Sequence, residues 1–109
     1  MGIFKFFRRS DINQGVQEFQ NQESAVLLDV RTPQEYQDGH IPGSHNVPLQ
    51  HLNNVEEIAE KKDTLLYVYC HSGVRSRQAV GTLKQMGYTN VHNIGGIAAY
   101  RGELKKTKK

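Results

Sequence analysis

Thr64-Leu65-Leu66-Tyr67-Val68-Tyr69, then Cys70-His71-Ser72-Gly73-Val74-Arg75-Ser76, then Arg77-Gln78-Ala79-Val80-Gly81-Thr82-Leu83-Lys84-Gln85-Met86-Gly87: three kinds of sequence follow one another without a break. The first is a short run of leucine, β-branched and aromatic residues, the pattern of a buried strand. The third sets Ala79, Val80, Leu83 and Met86 at helical spacing, and Gly87 stands where a helix stops. Between them lies a loop that carries the sole cysteine of the chain. A loop running from a strand into a helix aims several backbone N–H groups at one point, and the helix adds about half a positive charge at its first turn. A thiolate placed there is stabilised, so the thiol pKa falls. Gly73 permits the tight path that converging amides need, Arg75 adds a permanent positive charge, and Ser76 is the expected N-cap. Cys70 therefore reads as a nucleophile seated in an anion cradle. The bland reading is a small buried hydrophobe; strand, glycine, arginine and helix together argue against it. His71 either tunes the thiol or touches a substrate, or is simply a solvent-facing loop histidine.

Upstream, Ala25-Val26-Leu27-Leu28-Asp29-Val30 is a continuous apolar run of strand length, as suits a parallel strand covered on both faces. Asp29 interrupts it near the carboxyl end, where a charge must be paired; hydrogen bonds from loops or an arginine are expected. Ligands gather at the carboxyl ends of strands in open α/β sheets, which is also where Cys70 lies. Before this strand, Ser10 and Asp11 are good N-caps for a helix through Ile12, Val16 and Phe19 that ends near Asn21, with Gly15 an unfavourable interior residue. After it, Thr32-Pro33-Gln34-Glu35 is a capping-box helix start, and Gly39 closes that short helix. Asn46-Val47-Pro48 allows only a brief strand. His51 to Lys62 sets Leu52, Val55, Ile58 and Ala59 at helical spacing and predicts a surface helix. Thr89 to Ile94 reads as a last strand, Gly95-Gly96 as a sharp turn, and Ile97 to Arg101 as a closing helical turn. The alternation predicts one α/β domain: a central, mostly parallel sheet with helices on both faces.

A chain of 109 residues suits one core. With 37% hydrophobic and 23% charged residues the composition is that of a folded soluble domain, which excludes a disordered chain. A single cysteine excludes an internal disulfide and a cysteine-based zinc cluster, and fits a reducing compartment, the cytoplasm. His40, His45 and His51 are spaced too irregularly for a metal site, so neither metal nor cofactor is expected. The net charge of +3 comes largely from Lys105-Lys106-Thr107-Lys108-Lys109, which reads as a solvated, mobile tail over residues 103–109. Without a folded basic surface or a recognisable module, nucleic acid is not an expected partner. Residues 1–10 read as a flexible arm before a domain at 11–102. Their mixture of phenylalanine with Arg8 and Arg9 is too short to span a membrane, so no stable insertion is expected; surface contact is the competing reading.

Leu28-Asp29-Val30-Arg31, Glu35-Tyr36, Gly39-His40-Ile41-Pro42-Gly43-Ser44 and Asn46-Val47-Pro48 together resemble the first signature of rhodanese-like domains. Tyr69-Cys70 through Arg75-Ser76, and Gly95-Gly96, resemble the active loop and closing turn of that family. The resemblance runs from about Ile12 to Arg101. It implies a single-domain sulfurtransferase that moves the sulfane sulfur of thiosulfate, through a persulfide, to cyanide or to a thiol, a protein thiol included. Cys70 would be the nucleophile and sulfur carrier. The N–H groups of His71, Ser72, Gly73, Val74, Arg75 and Ser76 would hold the persulfide and the developing sulfite. Arg75 would bind the donor or brace the loop, and the sequence leaves both open. Asp29 and Arg31 would support the loop, with Arg31 also able to meet an anion. Four residues separate Cys70 from Arg75; phosphatases resembling this fold use one more. A non-catalytic binding module is the alternative from another class, and a small cysteine phosphatase a third.

Overall fold

The computed structural model describes residues 11–107; the N-terminal arm expected at 1–10 lies outside the described residues, as do the last two lysines. Four parallel strands form one sheet in the order β2-β1-β3-β4. Helix α1 is Ile12–Gln20, β1 Val26–Asp29, α2 Pro33–Asp38, β2 Ser44–Asn46, β3 Leu66–Cys70, α3 Val74–Gln85 and β4 Val91–Gly96. Parallel strands need crossovers, and the helical segments supply them.

Alternation along the strands sorts the core into two layers. Leu28, Leu66, Val68 and Cys70 face Ala79 and Leu83 of α3 and Leu52 and Val55 of the second crossover, between β2 and β3. Leu27, Tyr67 and Tyr69 point the other way, onto Ile12 and Val16 of α1. The strands are thus covered on both faces, as their uninterrupted apolar runs require. Gly15, unfavourable by propensity, is needed in α1: a Cβ there would sit 2.5 Å from Ile94 side-chain atoms of β4.

Several expectations need correction. The helix expected over His51 to Lys62 is a 3₁₀ segment, Leu49–Glu57, broken at His51 (φ −132°, ψ 39°). Leu49, Leu52, Val55 and Ile58 recur every three residues, which lines up one face of a 3₁₀ helix rather than an α-helix. The short second strand lies at Ser44–Asn46, ahead of Val47 and Pro48. Gly95-Gly96 is no turn: both residues belong to β4 and pair with Tyr69 and Cys70 after a register shift. The basic tail is partly tied down. Lys105 exchanges two backbone hydrogen bonds with His40 (2.8 and 2.9 Å), and the Thr107 amide donates to the Gln37 carbonyl (3.1 Å). His40 is itself buried and stacks on Tyr36, ring centroids 3.7 Å apart. Among the described residues no helix is long and apolar enough to cross a membrane.

Candidate active site

β3 delivers Cys70 to the carboxyl edge of the sheet, and the chain turns into α3 within three residues. Gly73 makes that turn in the left-handed region (φ 104°), which costs a glycine little. Gly73, and not Ser76, is the N-cap of α3, and no side chain caps the helix. The sulfur takes over that part: the Gly73 amide donates to Cys70 Sγ at 3.0 Å. The amides of Ser76 and Ser72 also act on the sulfur. Ser76, fully buried inside the first turn, places its hydroxyl 3.5 Å from Sγ.

Cys70 is 1% exposed, so its chemistry depends on what surrounds it. Burial pushes the thiol pKa up. The Ser76 hydroxyl and the amides of Ser76, Gly73 and Ser72 outweigh burial and leave it below the ordinary value. A cysteine sealed in hydrocarbon would be shifted the other way. The sulfur therefore sits beneath the surface among hydrogen-bond donors.

Of the expected loop residues, His71 and Ser72 are exposed, as is Val74; the His71 carbonyl accepts from the Ala98 amide at 3.0 Å. Arg75 makes its side-chain hydrogen bonds to Glu35. Its two terminal nitrogens grip the two carboxylate oxygens of Glu35 at 2.9 and 3.0 Å, a bidentate pair that ties α3 to α2. Hydrogen bonding to Arg75 holds the Glu35 carboxyl down at about 2. Asp29 and Arg31 form a buried pair at the end of β1. Arg31 Nε and Nη2 engage the carboxylate at 2.7 to 3.1 Å, and Nη2 also donates to the Gly39 carbonyl at 2.7 Å. The Arg31 amide adds a further bond to Asp29. Burial alone would lower the arginine pKa, but Asp29 more than offsets it and the net shift is upward. The Asp29 charge is met within the fold, as its place at a strand end required.

Three contributors escaped the sequence reading. Glu35 was visible as a capping-box residue, and it does accept from the Thr32 amide at 3.0 Å; its grip on Arg75, forty positions away, has no local signature. Asn93 lies in β4 and binds Ser76, Gly95 and Gly73 through its carboxamide. Gly96 lies so close under the loop that a Cβ would come within 2.2 Å of the His71 carbonyl oxygen. Two cavities flank the loop and meet at His71. One, of about 490 Å³, is bounded by Ser72, Gly73, Arg77, Asn93 and Gly96. The other, of about 300 Å³, is bounded by Arg31, Glu35, Asp38 and Leu104.

A family model described as "Rhodanese-like domain" matches residues 13–103. The chain belongs to the rhodanese-like domain family. The thiosulfate sulfurtransferase PspE of Escherichia coli is 42% identical over 72 residues, spanning 64% of this chain and 68% of that protein. A relative named only as uncharacterized protein YqhL of Bacillus subtilis is 39% identical over 85 residues, 77% of this chain and 67% of its own length. Among solved structures, "rhodanese with anions from E. coli" superposes with a TM-score of 0.71 at 35% identity, covering 75% of this chain and 98% of that one. The expected family and fold class are therefore correct: this rhodanese-like chain has a parallel sheet with helices on both faces.

Proposed function

We propose that this rhodanese-like chain is a sulfurtransferase in which Cys70 carries a sulfane sulfur as a persulfide. The observation that carries this reading is the setting of the sulfur: a thiol with a lowered pKa, hydrogen-bonded by the Gly73 amide at the N-cap of α3 and favoured as its anion by the Ser72 and Ser76 amides and the Ser76 hydroxyl. In the first half-reaction the Cys70 thiolate attacks the outer sulfur of thiosulfate. The new bond is Sγ–S; the old sulfur–sulfur bond breaks and its electron pair leaves with sulfite. The negative charge now rests on the outer sulfur. In the second half-reaction cyanide or a thiolate attacks that sulfur, and Cys70 recovers its thiolate. No oxidant or cofactor enters either step.

Depth supports a small donor with its reactive sulfur at the tip, as in thiosulfate, because Cys70 lies below the surface. The persulfide brings the transferable sulfur about 2 Å further out, one S–S bond length, toward an acceptor. A protein thiol is an acceptor consistent with the exposure of His71, Ser72 and Val74 on the loop. Residues 11–102 would form the catalytic unit, working in the cytoplasm, where a free thiol survives. The Glu35 pair supports Arg75 as a brace for the loop. The four-residue interval from Cys70 to Arg75 favours sulfur over a tetrahedral phosphate.

The test is intact mass after incubation with thiosulfate, together with thiocyanate formation once cyanide is added. One added sulfur atom on the wild type, absent from Cys70→Ser, is the expected result, with thiocyanate lost in the same variant. A wild type that gains no sulfur and yields no thiocyanate would overturn the reading. Turnover of an aryl phosphate would instead mark a phosphatase.

A further inference from the structure

Asn93 makes three hydrogen bonds whose directions can be assigned without ambiguity. The Gly95 amide can only donate, and it meets Asn93 Oδ1 at 2.9 Å. The Gly73 carbonyl can only accept, and it meets Asn93 Nδ2 at 3.3 Å. The carboxamide is thus held one way round. The third partner, Ser76 Oγ at 2.8 Å from Oδ1, must then donate its proton to Asn93. Ser76 Oγ is also 3.5 Å from Cys70 Sγ. A hydroxyl has one proton, and here two acceptors compete for it.

We propose that Asn93 is a positioning residue for the sulfur chemistry, holding the Ser76 hydroxyl as a donor that swings between Asn93 Oδ1 and Cys70 Sγ according to the charge on the sulfur. With a neutral thiol, S–H donates to Ser76 Oγ and the hydroxyl donates to Asn93. With a thiolate, the hydroxyl turns to the sulfur, and Asn93 Oδ1 keeps the Gly95 amide, so no buried acceptor is stranded. When Sγ becomes the inner atom of a persulfide its charge moves outward, and the hydroxyl returns to Asn93. The nucleophile gains a donor when it is charged and releases it once the charge has left. Through Nδ2 the same residue holds the Gly73 carbonyl, and with it the peptide at the loop's sharpest bend.

The charged groups around the sulfur do not perform this switch. Arg75 of α3 is paired with Glu35 of α2, Asp29 of β1 is paired with Arg31, and the exposed His71 shows no side-chain hydrogen bond among the described residues. Arg77 of α3 lines the larger cavity on the outer side of the loop. His92 of β4 faces the opposite layer, 5.8 Å from the Tyr67 ring.

The proposal rests on Cys70 being the nucleophile, and its test is separate from sulfur transfer: the pH dependence of Cys70 alkylation by iodoacetamide in the full chain. Asn93→Ala removes the competing acceptor, and the groups it leaves, at Gly73 and Gly95, line a cavity that water can enter. The midpoint should fall by about half a pH unit, roughly threefold more thiolate below the midpoint. A merely structural role predicts the opposite sign, since a slackened loop aims its amides less well. In a Ser76→Ala background the Asn93 substitution should leave the midpoint in place. Should Asn93→Ala fail to fold, the near-isosteric Asn93→Asp serves: its carboxylate draws the hydroxyl away and raises the midpoint, by less when Ser76 is alanine. A rise or no change in Asn93→Ala, or shifts equally large with and without the Ser76 hydroxyl, would overturn the proposal. Failure of the sulfurtransferase reading would appear in the mass measurement and leave these profiles readable.

Discussion

Cys70 and Asp29 show how the same burial has different consequences for different neighbours. Each is essentially inaccessible to solvent. The thiol is surrounded by donors, which favour its anion despite desolvation. The carboxylate is surrounded by Arg31, whose remaining bonds reach the Gly39 carbonyl. Removing one partner of such a buried pair strands the other. Asp29→Ala should therefore destabilise the fold by about 3–5 kcal/mol, read as a lower midpoint in urea. A variant within ~1 kcal/mol of wild type would mean that the pair contributes little beyond its own desolvation.

Among the elements, the contact between β4 and the Cys70 loop positions the chemistry. β4 passes beneath the loop at Gly96, where the backbones meet without room for a side chain. Gly96 has an ordinary extended conformation (φ −124°), so the demand for glycine there is one of space alone. Gly96→Ala must push the His71–Ser72 peptide outward. A destabilisation of about 1–3 kcal/mol is expected for such overpacking, with a larger loss in the rate of the proposed persulfide formation than in stability, because the displaced peptide carries the Ser72 amide, which acts on the sulfur, and adjoins that of Gly73. Stopped-flow mixing with thiosulfate alongside thermal melts would separate the two effects; equal losses would show that the loop tolerates the shift. The α2–α3 tie works from the other side, with Glu35 serving both as N-terminal cap of α2 and as clamp on Arg75.

For the molecule as a whole, that clamp predicts a pH window. The folded Glu35 carboxyl titrates at about 2, below its ordinary range near 4.3. A depressed carboxylate pKa contributes stability that is present above the unfolded value and is lost as the pH falls through the folded one. Wild type should exceed Glu35→Gln in stability at neutral pH, and the gap should narrow below about pH 4.3 and close near pH 2. Both side chains are about one-third exposed, so solvent screening keeps the gap modest. Denaturant midpoints of the two proteins across this range would check it; a constant gap would locate the effect in packing. The tail adds to the same region, since Leu104 approaches the position a Cβ would take on Gly39 and borders the smaller cavity.

Much of this was legible locally. A strand–loop–helix run with one cysteine, a capping box at Thr32, and apolar runs long enough for strands but not for helices are patterns that need no partner to be read. They were enough for the parallel sheet and for the place of Cys70 at a strand end just before a helix. The 3₁₀ segment was misread because a three-residue repeat also satisfies a loose helical pattern. Gly95-Gly96 was misread because paired glycines ordinarily signal a turn, and only the approach of another backbone reveals the need for space. Ser76 looked like a cap because serine often is one, until the fold brought Asn93 and the sulfur to its hydroxyl. The chemistry of each residue belongs to the chain. Which donor faces which acceptor across β3, α3 and β4 is set by packing, because those partners lie many positions apart and meet only once the sheet has closed over them.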